Sequence, residues 1–314
     1  VCQYFLEYLS SRNSIFFFNK NRQANNTTHF NKMKKQIIRK ALHLLESKID
    51  ELRLKKSDGR LLQFYNIIQS TKDNYWTEEE RNALTQIQEL RSYYTDSKET
   101  IEIKDHGFGQ SSDTRTNEQM SEGVKFTKNV SDVYKSASSS KKNGELMFRI
   151  IREYAPNLCF ELGTCLGISA AYGLQALNLN SKGKFISLEG SVELANMTQL
   201  SLEHIGIKGL KIITGRFQDT LPSLLNEHND IDFAFIDGHH EEKATLNYFE
   251  MFFNNIPEKG ILIFDDINWS SGMRKAWRKL KNDSRINGTI DTYHRGICFI
   301  DKSKTSKSNY KVWF

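Results

Sequence analysis

Four short stretches combine residue types that could do chemistry: Glu161-Leu-Gly-Thr-Cys-Leu-Gly-Ile-Ser169, Glu189-Gly190, Asp237-Gly-His-His240 and Asp265-Asp266. In the first, Gly163 can let a ligand reach the backbone with no Cβ in the way, and Gly167 can let the turn enter a helix closely. Cys165 stands where the second glycine of a dinucleotide GxGxxG would be, which disfavours a pyrophosphate cradle. Glu189 is placed to accept hydrogen bonds from both hydroxyls of a ribose. Together the two stretches predict a bound nucleoside. Asp237, Asp265 and Asp266 would repel one another unless something positive lay among them, and hard oxygen ligands suit Mg²⁺ or Mn²⁺. Such an ion could hold two vicinal substrate oxygens and activate a hydroxyl nucleophile. His240 has the chemistry of a general base near neutral pH. The plainer alternative leaves Asp265 or Asp266 as a helix cap, with His239 and His240 on adenine or in solvent, and Asp219 as a cap of its own helix.

Those residues need a frame that brings them together. Five apolar runs, "LCFEL", "KFISLE", "LKIITG", "IDFAFID" and "GILIFDD", recur at even intervals and alternate with helical stretches. Strands apolar throughout, alternating with helices, predict a parallel sheet covered on both faces. Ligands of such sheets bind beyond the carboxyl ends of the strands, where all four stretches fall. "GELMFRIIREY" precedes the first run as a helix, with Leu146, Met147, Ile150, Ile151 and Tyr154 inward and Pro156 stopping it. Pro222 is expected at a first helical position. "TIDTYHRGICFID" and "YKVWF" close the chain as antiparallel edge strands.

The 314 residues allow one large domain with an appendage, and the net charge of +6 is mild, permitting an anionic partner without demanding one. The four cysteines, Cys2, Cys159, Cys165 and Cys298, have no CxxC spacing and suit reduced thiols in a cytoplasmic protein. No apolar run approaches the roughly 18 residues of a membrane span. Residues 1–32 are Asn-, Ser- and Phe-rich, without lasting periodicity, and are expected to be a low-complexity tail or a mis-called start. Residues 33–98 are expected to form a helical cap: Ile37, Ile38, Leu42, Leu45, Ile49 and Leu52 make one apolar face, and "TEEERNALTQIQELRSYY" opens like a capped helix. Residues 99–129 lose periodicity and are expected to be a linker or lid loop.

Taken in order, these residues resemble class I S-adenosylmethionine-dependent methyltransferases of the catechol and caffeoyl-CoA O-methyltransferase group. The likeness runs from about Gly144 to the end, within a methyltransferase domain over residues 130–314. It implies a doubly wound, Rossmann-like α/β fold with a seven-stranded, mostly parallel sheet, an antiparallel edge and an N-terminal helical extension. Glu161, Gly163 and Gly167 match the group's ELGxxxGxS motif, which also takes in Thr164, Cys165 and Ser169 and wraps the methionine part of the cofactor. Glu189, with Gly190, matches the ribose site. Gln218 matches a residue beside the adenine, and Asp237 and His239 complete the implied cofactor contacts. Asp237 also matches the first metal-ligand aspartate, and Asp265 and Asp266 an Asp-Asn pair. Two departures stand out: His240 replaces a lysine base, and Asp266 replaces an asparagine. The resemblance implies methyl transfer to a small-molecule hydroxyl, with His240 and Asp237 catalytic. Two alternatives stay open: an RNA methyltransferase using the basic stretch "MRKAWRKLKND", and a cofactor-binding module without transfer chemistry. Oligomeric state is also open, a homodimer included.

Overall fold

The apolar runs pair as a parallel sheet in a computed structural model that describes residues 20–105 and 122–314, with side chains from Lys34 onward except Gln36. Strands β3 (Leu158–Leu162), β4 (Lys184–Glu189), β5 (Leu210–Thr214), β6 (Phe233–Ile236) and β7 (Lys259–Phe264) are those runs, all parallel. Two antiparallel strands follow, β8 (Gly288–Asp291) and β9 (Gly296–Asp301), with β9 against β7. An eighth strand, β10 (Ser308–Lys311), extends the expected seven, giving the order β10-β8-β9-β7-β6-β3-β4-β5. It pairs parallel to β8, not antiparallel as expected, because the chain passes from β9 to the far side of β8 before pairing.

The helices on the two faces seal separate cores. One holds Phe160, Ala234, Leu262 and Phe264 beneath helices α8 (Phe217–Glu227), α9 (Glu242–Asn255) and α10 (Ser271–Asn282). The other packs Cys159, Phe233, Phe235 and Ile263 under α5 (Lys141–Tyr154), α6 (Ile168–Asn180) and α7 (Val192–Ile205). α5 buries Leu146, Met147, Ile150 and Ile151 as its spacing predicts, and ends at Ala155 in the left-handed region, one residue before Pro156. Helix α8 begins earlier than its proline suggests: Arg216 is the N-cap, Pro222 lies inside, and Asp219 sits in the first turn, 2.6 Å from Arg216 Nε.

The N-terminal helices are α1 (Lys20–Lys55), α2 (Gly59–Lys72) and α3 (Glu78–Asp96). The chain divides into two units after Leu45. α3 carries the expected capping box, Glu80 N–H to Thr77 Oγ1 at 3.2 Å and Thr77 N–H to Glu80 Oε2 at 3.0 Å. α2 and α3 place Phe64, Ile67, Ile68, Ile87 and Leu90 in the same core as α5 and α6, and Phe64 meets Phe299 edge-on at 5.5 Å. The part of the predicted apolar face of α1 that lies in the second unit does not turn inward. Within the second unit Ile49 and Leu52 are each more than half exposed, while Ser47 and Leu54 are buried. The inward side is fixed by polar bonds instead: Ser47 Oγ accepts from Trp313 N–H at 2.6 Å and Asp50 Oδ2 from Lys311 N–H at 2.8 Å.

The segment expected as a linker starts and ends as a hairpin, β1 (Thr100–Asp105) against β2 (Val124–Asn129), followed by α4 (Val130–Ala137). The centre of the expected lid, the tail before Lys20 and Cys2 lie outside the described residues. Cys159 and Cys298 are buried and free, and Cys165 is half-buried and free. Among the described residues no helix is long and apolar enough to cross a membrane.

Candidate active site

The carboxyl ends of β3, β4, β6 and β7 open on a cavity of about 520 Å³. Gly163, Thr164, Cys165 and Ser169 line it from the loop after β3, and Glu189 and Gly190 from the end of β4. Asp237, His239 and His240 enter from β6, and Asp265 and Asp266 from β7. The fold thus gathers eleven of the fourteen expected site residues on one wall system. Glu161, Gly167 and Gln218 stand behind it; Arg216 and Phe217 face the cavity where Gln218 was expected.

The loop after β3 is shaped by its neighbours. Gly163 has φ +99°, and a Cβ there would lie 2.2 Å from the carbonyl oxygen of Asp237. Its need for glycine therefore comes from the end of β6, whereas the sequence suggested close approach of a ligand. Gly167, at φ +70°, lets α6 pack on α7, since a Cβ would meet Thr198 at 2.4 Å. Three non-glycine residues around the cavity also adopt the left-handed region: Cys165 (48°), His239 (46°) and Asp266 (54°). Such conformations cost of order 1–3 kcal/mol each and cluster at functional sites.

Both oxygens of Glu189 hold backbone: Oε2 accepts from Cys165 N–H at 2.7 Å and Oε1 from Ser191 N–H at 2.9 Å. Each keeps a lone pair for a further donor. Burial raises its pKa above the usual carboxylate range, and the backbone donors oppose that shift. Glu161 is fully buried and pushed up to about 7 by desolvation. Ser187 donates to its Oε2 at 2.6 Å, and Oε1 is buried with no hydrogen bond.

At the other end, burial first and then the charges of Asp265 and Asp266 raise the pKa of Asp237. Asp266 is raised by burial and by Asp265. His240 Nε2 lies 3.6 Å from Asp237 Oδ1 and 3.9 Å from Asp266 Oδ2, with Trp269 beside its ring at 6.4 Å. His239 is turned differently: its Nδ1 is 2.7 Å from Tyr248 Oη and its ring meets Phe217 edge-on at 5.8 Å.

Asp265 is engaged by a residue the sequence did not single out. Arg295, 2% exposed, donates to Asp265 Oδ2 from Nε at 3.1 Å and from Nη2 at 3.0 Å. Asp265 Oδ1 accepts from Asp266 N–H at 2.9 Å. The same guanidinium donates to Ser139 Oγ at 2.7 Å and to Asn143 O at 2.8 Å, and its carbon lies 4.6 Å from the Phe235 ring centre. The expected metal set of Asp237, Asp265 and Asp266 does not stand as an open ligand cluster. Among the described residues no group of three His, Cys, Asp or Glu side chains could hold a metal ion. Arg295 was missed because it reads as a turn residue before an apolar strand. Its position immediately before β9, the strand paired to β7, was the available signal.

Residues 160–267 match the family model described as a methyltransferase domain. The catechol O-methyltransferase of Mus musculus is 32% identical over 97 residues, which are 30% of this chain and 36% of that enzyme. That of Bos taurus is 28% identical over 100 residues, 31% of this chain and 36% of the enzyme. The match thus spans about a third of the length of these curated relatives. An O-methyltransferase from Bacillus cereus in complex with SAH aligns with a TM-score of 0.47 at 21% identity, over 53% of this chain and 84% of that one. The TomG O-methyltransferase of Streptomyces achromogenes, solved with SAM, gives 0.45 at 18% identity, over 53% and 82%. The sequence resemblance is thus supported over the segment that builds the cavity: residues 160–267 match a methyltransferase domain, and about a hundred residues of the chain are similar to catechol O-methyltransferases.

Proposed function

We propose that this chain transfers a methyl group from S-adenosylmethionine to a hydroxyl of a small molecule. The observation that carries the reading is the single cavity flanked by Glu189 and the glycine loop on one side and by His240 with its two aspartates on the other. The residues fit the cofactor. Glu189 has acceptor capacity left for ribose hydroxyls, and the ring of Phe217 faces the cavity near His239 for the base. When bound, S-adenosylmethionine supplies a methyl carbon on a positively charged sulfur, open to displacement by oxygen.

The chain's own work is to hold the reactants in line and manage one proton. Glu189 and the loop after β3 fix the nucleoside end. His240 Nε2 accepts the hydroxyl proton, and Asp237 and Asp266, on either side of it, stabilise the imidazolium that forms. Trp269 offers an apolar wall beside His240 for the acceptor. A Mg²⁺ or Mn²⁺ held by Asp237, Asp265 and Asp266 does not fit these donors, because Asp265 is already bonded through both oxygens. The basic stretch suggested for RNA lies on α10, whose Met273, Trp277 and Leu280 are buried and whose Lys279 pairs with Glu242 at 2.9 Å. That arrangement makes it the solvent side of an amphipathic helix.

Calorimetric titration of S-adenosylhomocysteine into the full chain tests the reading. One-site binding that weakens in Glu189→Ala supports it, and absence of binding to the unaltered chain rejects it.

A further inference from the structure

Three carboxylates meet at the acceptor end of the cavity: Asp265 is bonded by a guanidinium, and Asp237 and Asp266 flank one imidazole. Asp265 uses three of its four lone-pair directions, two toward Arg295 on Oδ2 and one toward Asp266 N–H on Oδ1. A divalent ion on the remaining direction would sit beside a buried, permanently charged guanidinium. Asp237 and Asp266 have the His240 ring between them, Nε2 within 4 Å of both.

We propose that Arg295 takes the cation's place on Asp265 in this acidic cluster, so that the acceptor is a lone hydroxyl held to His240 rather than a vicinal pair chelated by a metal. The proposal rests on the methyl-transfer reading for its reaction, and on these contacts alone for its charge arrangement. The step balances without a further reactant. The acceptor oxygen bonds to the methyl carbon, the carbon–sulfur bond gives its electron pair to sulfur, and the hydroxyl proton moves to His240 Nε2. Arg295 is a positioning residue: it is buried and reaches the cavity only through Asp265, Ser139 and Asn143, which line it. One guanidinium thereby fixes the end of β7 relative to the start of α5, on the acceptor side.

Mn²⁺ titration of the full chain, followed by electron paramagnetic resonance of the free ion and by calorimetry, tests this with and without S-adenosylhomocysteine. The unaltered chain is expected to show no one-site binding tighter than about 1 mM. Arg295→Ala frees Asp265 and is expected to gain one Mn²⁺ site at least ~10-fold tighter than anything in the unaltered chain. Arg295→Lys keeps the charge and is expected to gain none, so a fold lost in the alanine variant leaves the charge argument readable. One Mn²⁺ bound by the unaltered chain and lost in Asp265→Asn overturns the proposal, as does a folded Arg295→Ala that gains no site. Failure of S-adenosylhomocysteine to bind rejects the cofactor reading while the Mn²⁺ result still stands for or against Arg295.

Discussion

The backbone N–H of Cys165 points at Glu189 Oε2 from 2.7 Å, tying the loop after β3 to the end of β4. The carboxylate therefore shapes the loop, and in the proposed reading it receives the ribose as well. Glu189→Ala removes a charge-assisted acceptor, an interaction worth about 1.5–3 kcal/mol. The expected result is a ~10- to 100-fold weaker affinity for S-adenosylhomocysteine by calorimetry. Unchanged affinity would place the ribose elsewhere.

Gly163→Ala forces a methyl group against the Asp237 carbonyl oxygen, 2.2 Å away, at a φ of +99°. Neither partner is a flexible side chain. Loss of about 3 kcal/mol or more is expected from strain and displacement at such a site, read as a lower urea midpoint. A methyl there that leaves stability intact would mean the two strand ends can part at no cost.

His240→Ala removes the proposed base while leaving the cofactor contacts in place. With any hydroxyl acceptor that turns over, kcat is expected to fall about 10²- to 10⁴-fold. The S-adenosylhomocysteine dissociation constant should stay within about 3-fold of the unaltered value. A fall in affinity matching the fall in rate would assign His240 to binding.

Stability should decline as pH rises through the acid range. Burial raises Glu161 from its ordinary 4.5 to about 7 in the folded chain, so between those values the folded state holds the proton more tightly than the unfolded state does. The contribution is complete below the unfolded pKa and is lost as pH passes the folded one. Glu189, Asp237 and Asp266, raised for the same reason, act in the same direction. Unfolding midpoints measured from pH 5 to pH 8 should fall, and Glu161→Gln should flatten the slope. An unchanged slope in that variant would remove Glu161 from the effect.

Phe64→Ala tests whether α2 is integral to the core it shares with α5 and α6. Phe64 is fully buried against Phe299, and truncation of such a residue costs about 3–5 kcal/mol. Urea unfolding of the variant should show a single transition at lower denaturant. A small early transition followed by an unaltered main one would make the N-terminal helices a separate folding unit.

The parallel strands were legible because burial on both faces leaves runs such as "FAFI" with no polar position, a pattern few other elements share. The strand-end acids were legible because the sheet dictates where polar residues can reappear. Two things were not. Arg295 is a single cation separated from Asp265 by 30 residues, and only the pairing of β9 with β7 brings them together. The orientation of α1 was misread because periodicity identifies an apolar face without saying which side meets the body, and here Ser47 and Asp50 face β10 and the chain end.

Those two polar contacts bear on how the sheet terminates. β10 is its outer strand, and an outer strand offers unpaired N–H groups to any passing chain. Asp50 occupies the N–H of Lys311 and Ser47 that of Trp313, so side chains of a helix stand where a ninth strand would bond. Ser47 and Asp50 are polar for that reason, and this part of the helix acts as a guard against strand-by-strand aggregation. A chain shortened past Asp50 would carry an open template for association at the edge farthest from β5.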